Sequence, residues 1–140
     1  MQVSDVMSRD VEFIAPEESV REAAVLMGEL DVGALPVGTA TDIEGVISDR
    51  DILYRVVAAG LDPNTTTVGA VLSRPVIACS EGDTVRAAMD LMAAHHVRRM
   101  PVRNASGAVT GWLTLADLSR SLLLGSDALQ NSLRAMSEDA

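Results

Sequence analysis

The sequence predicts an α/β fold in which one small unit is used twice, and two observations carry that prediction. The first is an internal repeat. Val3–Val37 (VSDVMSRDVEFIAPEESVREAAVLMGELDVGALPV) aligns without a gap on Val68–Val102 (VGAVLSRPVIACSEGDTVRAAMDLMAAHHVRRMPV). Val3 then falls on Val68, Ser8-Arg9 on Ser73-Arg74, Leu26-Met27 on Leu91-Met92 and Pro36-Val37 on Pro101-Val102. One residue of slippage later, Gly45–Asp51 falls on Gly111–Asp117. The second observation is the order of apolar patterns, which is the same in both copies: strand, helix, strand, strand, helix. Neither copy is large enough for a good core of its own, so the two should bury their apolar faces against each other.

Each copy opens with a short polar-apolar turn, Val3–Ser8 and Val68–Ser73, expected to be one helical turn. A short apolar stretch follows, Val11–Ala15 and Val76–Cys79, which suits a strand. Ser19 then caps a helix, with Glu22 three residues on to complete a capping box. Val20, Ala23, Ala24, Met27 and Leu30 recur at helical spacing and predict its buried face. In the second copy Thr84 caps, and Val85, Ala88, Met89 and Met92 repeat the face. Strands are expected at Ala34–Val37 and Met100–Arg103. Polar turns at Gly38–Asp42 and Asn104–Gly107 join them to Glu44–Ile47 and Val109–Leu113. A second helix opens at Ser48 or Thr114. The first runs to about Ala59 and stops at Gly60, the second to about Leu124, stopping at Gly125. The predicted units are residues 1–60 and 68–125, with a turn-rich linker at 61–67. Residues 126–140 follow as a helix over about Ala128–Met136 and a tail.

Composition narrows the function classes. Of the 140 residues 48% are hydrophobic, enough for a sizeable core, but Phe13, Tyr54 and Trp112 are the full aromatic set. Nucleic-acid modules that stack bases need more aromatic platforms than this. A formal net charge of −9 disfavours phosphate backbones and anionic membranes, though not one small anion in a locally basic pocket. No nucleic-acid or membrane partner is therefore expected. Cys79 is the only cysteine, so no intrachain disulfide forms. No apolar run approaches the ~20 residues that span a bilayer, and the N-terminus lacks a signal-peptide pattern, so a cytoplasmic protein is expected. No nucleophile has an evident base beside it, and no catalytic role is assigned. His95 and His96 are adjacent on a helix and point to different sides, which does not favour a shared metal.

The twice-used order of elements resembles the CBS domain, the module named after cystathionine β-synthase. The residues that carry the likeness are Met7-Ser8 near the start, Pro36-Val37 and Pro101-Val102 after the first helices, and G-x-x-[ST]-x-x-D at Gly45–Asp51 and Gly111–Asp117. It covers roughly residues 1–124. The resemblance implies tandem motifs packed through their sheets about a pseudo-twofold axis, a Bateman module, with two clefts between the motifs. It further implies binding of AMP, ADP, ATP or S-adenosylmethionine without a required cofactor, association as a homodimer, and a regulated partner protein that the sequence does not name.

On that resemblance Asp51 and Asp117 match the ribose-binding carboxylate of the family, with oxygens suited to vicinal hydroxyls. Ser48 and Thr114 stand where a hydroxyl and free helix-start amides can meet a phosphate. The same S/T-x-x-D pattern is also an ordinary capping box, which the residues alone favour; the repeat and the resemblance bring ligand binding level with it. By the family's arrangement the cleft of Ser48, Asp51 and Val46 would meet Ile77, Val97, Arg98 and Arg99 of the other copy. Guanidinium groups there suit bidentate phosphate contacts; an edge carrying salt bridges is the equal alternative. The second cleft, with Asp117, Thr114, Trp112 and Val32, faces Glu12 and Gly33-Ala34 and is expected to be the poorer one, with Trp112 filling it. The leading functional expectation is a sensor of an adenosine-containing nucleotide. The alternative is a ligand-free dimeric interaction protein, in the setting of stress or dormancy.

Overall fold

In chain order the protein forms a 3-10 turn (Val3–Asp5), α1 (Val20–Leu30), β1 (Ala34–Gly38), β2 (Ile43–Ser48), α2 (Asp49–Ile52) and a π-helical turn (Leu53–Val57). The second copy supplies α3 (Val68–Val71), β3 (Cys79–Ser80), α4 (Val85–His95), β4 (Arg99–Arg103), β5 (Val109–Thr114) and α5 (Leu115–Leu123). The computed structural model describes residues 1–123, 131–132 and 134–136. Described residues of the expected C-terminal helix at 131–132 and 134–136 are helical. The rest of that helix, with Leu129 and Leu133, lies outside the described residues, as does the stop expected at Gly125 for the helix before it.

Local chemistry starts the two long helices. The Ser19 hydroxyl accepts from the Glu22 amide at 3.1 Å, and the Thr84 hydroxyl accepts from the Ala87 amide at 3.0 Å. The return arm of the expected box at Ser19 does not form, because the Glu22 carboxylate turns to Arg21 at 3.8 Å. The buried face of α1 is narrower than its apolar spacing suggests. Val20, Ala23 and Met27 are buried, whereas Ala24 and Leu30 are exposed, since the helix has one small sheet to cover. Both helices end on a non-glycine residue in the left-handed region, Asp31 (φ 55°) and His96 (φ 53°).

The strands form two small sheets. β1 and β2 pair antiparallel, with Ala34 opposite Ser48 and Pro36 opposite Val46. β4 and β5 repeat this, with Arg99 opposite Thr114 and Pro101 opposite Trp112. β3 adds to β4 in parallel. Its expected counterpart at Val11–Ala15 shrinks to one bridge, Ile14 with Val37. Proline explains the loss. Glu81 continues the second ladder by donating its amide to the Arg103 carbonyl at 3.0 Å, and the repeat puts Pro16, which has no N–H, at that place. The helix expected over 48–59 is likewise interrupted: after α2 its turn widens, and Ala58 donates to the Leu53 carbonyl at 2.9 Å.

Apolar burial joins the copies in a way their sequences do not announce. Two clusters form, and each contains the leading turn of the other copy. Val68, Val71 and Leu72 are buried with Ile14, Val20, Met27, Leu35 and Ile47 of the first copy. Val3 and Met7 are buried with Cys79, Val85, Met92, Met100 and Leu113 of the second. Isolated bridges record the same exchange in pairs: Gln2 with Thr84 and Ser19 with Thr67, Ser8 with Trp112 and Val46 with Ser73. The members of each pair are repeat equivalents, so the arrangement has pseudo-twofold symmetry. Burying each exchanged valine or leucine contributes roughly 1.5–3 kcal/mol.

The exchange explains the glycine of G-x-x-[ST]-x-x-D. A Cβ on Gly45 would lie 2.6 Å from the Ser73 carbonyl oxygen, and one on Gly111 would strike the Met7 side chain. Only a residue without a side chain lets the crossing turn lie on the strand. A Cβ on Gly28, inside α1, would meet nothing within 4 Å. Gly45→Ala should therefore destabilise the fold by roughly 1–3 kcal/mol. Gly28→Ala should stabilise it by about 0.5–1 kcal/mol. Urea denaturation of the two variants checks the opposite signs; equal effects would argue against the close crossing.

Candidate functional site

The crossing leaves a cleft between the copies, and its floor is built at the end of β2. Ser48 caps α2. The Asp51 amide donates to the Ser48 hydroxyl at 3.2 Å, and the Ser48 amide donates to Asp51 Oδ2 at 2.9 Å. A complete capping box therefore holds Asp51, which is 7% exposed. Its other oxygen, Oδ1, accepts from the Ser73 hydroxyl of the second copy at 2.9 Å and lies 3.4 Å from Arg55. Arg55 also donates to the Val71 and Leu72 carbonyls at 2.8 and 3.0 Å. One guanidinium thus ties the carboxylate to the exchanged turn.

The free amides expected at this helix start are absent. Besides Ser48 and Asp51, the Asp49 amide donates to the Gly33 carbonyl at 2.9 Å and the Arg50 amide to Asp49 Oδ1 at 2.8 Å. Short polar side chains at 48, 49 and 51 satisfy the orphan N–H groups that an anion would otherwise use.

Across from this floor stands the second copy. Val46, Ser48 and Asp51 line a cleft of about 470 Å³ together with Ile77, Val97, Arg98 and Arg99. Every residue assigned to this cleft from the sequence is on its wall. Asp49, Arg50, Ser73, Pro75 and His96 line it too, beyond the residues that the sequence points to. Their signal is present in part: Asp49 and Arg50 lie inside the repeated motif, and Ser73 falls on Ser8 in the alignment.

Charge sets the character of the cleft. Arg99 is half-buried, 3.9 Å from Asp49, with its guanidinium over Gly33. Arg50 and Arg98 are exposed, and Arg50 stacks on the Tyr54 ring with 5.3 Å to the centroid. Three arginines and His96 therefore converge in a chain of net charge −9. The wall behind them is apolar, formed by Val46, Ile77, Pro75 and Val97.

The second cleft has the opposite character. About 440 Å³ is lined by Ser8, Asp10, Val11, Glu12, Leu30, Val32, Ala34, Leu35, Pro36 and Trp112, with two carboxylates and no cation. Val32 and Trp112 are placed as expected, and Trp112, 9% exposed, forms one wall. Thr114 and Asp117 are not among the residues that line it. Their box closes on itself: the Thr114 amide donates to Asp117 Oδ2 at 3.0 Å and the Asp117 amide to the Thr114 hydroxyl at 3.1 Å. Arg120 then covers Oδ1, where the first copy has a serine from the exchanged turn.

Other reactive groups do not join a site. Burial in the sheet, and secondarily Asp83, push the Cys79 thiol up to about 11, so it stays neutral near pH 7. Among the described residues no group of three His, Cys, Asp or Glu side chains is placed to hold a metal ion. No helix among them is long and apolar enough to cross a membrane.

Known proteins share this architecture. The sequence is 36% identical over 119 residues to Hypoxic response protein 1 of Mycobacterium tuberculosis, covering 84% of this chain and 82% of that protein. It is 35% identical over 117 residues to the CBS domain-containing protein YhcV of Bacillus subtilis, with the same coverage of both. The crystal structure of Hypoxic Response Protein I with two coordinated zinc ions superposes with a TM-score of 0.76 at 35% identity, over 86% of this chain and 98% of that one. That of CBSX2 in complex with AMP superposes with a TM-score of 0.72 at 26% identity, over 88% and 96%. The sequence profile of the CBS domain matches residues 3–58 and 68–124. The chain belongs to the CBS-domain family and carries two CBS domains in tandem.

Proposed function

We propose that this CBS pair is a regulatory module that binds an adenosine-containing nucleotide in the cleft between Ser48–Asp51 and Val97–Arg99. One observation carries the reading: a buried carboxylate from one domain, an apolar slot and three arginines converge on one cavity of about 470 Å³. The slot suits a purine, Asp51 suits ribose hydroxyls, and the guanidinium groups suit phosphate. CBSX2, a relative with the same fold, has been crystallised with AMP. The acidic second cleft repels phosphate, so the module has one nucleotide site rather than two.

Regulation follows from the contacts of Asp51. A ribose that takes up Oδ1 competes with the Ser73 hydroxyl and with Arg55, and those groups hold the exchanged turn of the second domain. Occupancy then alters how firmly the two domains are tied, and a partner protein in the cytoplasm reads that change. Because Asp51 is fully satisfied without ligand, the observation also supports a second reading, a ligand-free interaction protein.

Ligand-induced thermal stabilisation separates the two. A nucleotide at 100 times its dissociation constant should add about 2.7 kcal/mol to the stability of the wild type. Asp51→Ala loses the return arm of the capping box and costs about 1 kcal/mol for that reason alone, so it is a poor single control. Val46→Trp is the better one. It installs the residue found at the equivalent position of the other domain, Trp112, which the fold already accommodates. The variant should fold and show no nucleotide shift. Flat wild-type curves with AMP, ADP and ATP would leave the interaction-protein reading.

The module is further proposed to act as a homodimer. Leu53, Val57 and Leu61, in and just after the π-helical turn, are 52%, 64% and 46% exposed, apolar side chains that a second copy would cover. Light scattering should give a dimer for the wild type and a monomer for Val57→Asp. A monomeric wild type, or a dimer unaffected by the substitution, would remove this assignment.

A further inference from the structure

The placement of charge in the first cleft carries its ligand preference further. All eleven basic residues of the chain are arginine, apart from its two histidines, and three of them line this cleft. They differ in depth and in partners. Arg99 is half-buried and shares its charge with Asp49. Asp51, the other carboxylate in the lining, is matched by Arg55. Among the described residues no ion pair engages Arg50 or Arg98. Both stand at the exposed mouth, so two positive charges remain without a partner there. The backbone does not help with an anion, because the amides of residues 48–51 already have acceptors in the protein. Any phosphate in this cleft is left to the guanidinium groups.

We propose that Arg50 is a specificity-determining residue that counts phosphates: it contacts groups beyond the first, so that ADP and ATP bind more tightly than AMP. The inference rests on the reading of this cleft as a nucleotide site. With the ribose at the buried Asp51, the first phosphate meets Arg99, and a longer chain runs outward between Arg98 and Arg50. The Tyr54 ring, with its centroid 5.3 Å from the Arg50 guanidinium carbon, restrains that side chain, which lowers the entropy cost of a bidentate contact. S-adenosylmethionine carries a positive sulfonium where a nucleotide carries its first phosphate. The same field therefore selects against it.

The test is isothermal titration of the full chain with adenosine, AMP, ADP, ATP and S-adenosylmethionine, without divalent cations, on wild type, Arg50→Ala and Arg50→Lys. In the wild type, affinity should rise by about tenfold from AMP to ADP or ATP, as one added charge-assisted contact implies. Arg50→Ala should remove that gain, weakening ADP and ATP more than AMP, so that all three bind about equally. Arg50→Lys, which keeps the charge and loses the fork, should fall between them. AMP binding with no preference for the longer phosphates would overturn this proposal and leave the nucleotide reading standing. So would an equal loss for AMP and ATP in Arg50→Ala. Tightest binding by S-adenosylmethionine would also overturn it. Absence of binding by every compound would overturn both readings together.

Discussion

Val68, Val71 and Leu72 bury themselves in the core of the first domain, and Val3 and Met7 bury themselves in the core of the second. The rest of the molecule depends on this exchange. Neither small sheet has enough partners to make a core without the borrowed turn. The crossing also fixes how the two domains face each other, and hence where the clefts lie. It accounts for glycine at 45 and 111, where the borrowed turn touches the strand. It brings Ser73 to Asp51 as well, so a contact that maintains the fold is also a contact in the candidate site.

The repeat supplies two such clefts, and differences between the copies set them apart. The first collects Arg50, Arg98 and Arg99 against an apolar wall. Its counterpart has Asp10, Glu12 and Trp112, and its helix-start carboxylate is held by Arg120, outside the lining. The difference turns on a few positions. Where one domain presents Arg98-Arg99, the other presents Gly33-Ala34, and where one has Val46 the other has Trp112. A shared backbone plan therefore carries one basic site and one acidic hollow. An anionic ligand would favour the first by its field before any specific contact forms.

Much of this is legible in the chain. The repeat carries the element order, and Ser19, Ser48 and Thr84 mark helix starts where the structure has them. The resemblance to CBS domains leads to seven residues that do line one cleft, from Val46 to Arg99. What stays hidden are contacts between residues far apart in sequence. Nothing in Val68–Val71 says that its apolar side belongs to the other domain, since periodicity reports a buried face and not its partner. The missing ladder at Val11–Ala15 depends on a single absent N–H at Pro16, visible only against Glu81. Asp117 has the same first-turn pattern as Asp51, and only Arg120, one turn on, shows that its carboxylate is occupied differently.

On the proposed reading, crossed domains leave one cleft fit for a nucleotide and one that is not. Counting bound nucleotide measures this most directly: equilibrium dialysis of the full chain against ADP, carried to saturation. One ADP per chain is expected. Two per chain would mean that the acidic cleft accepts an anion, and none would mean that the basic cleft does not, and either result would contradict that reading.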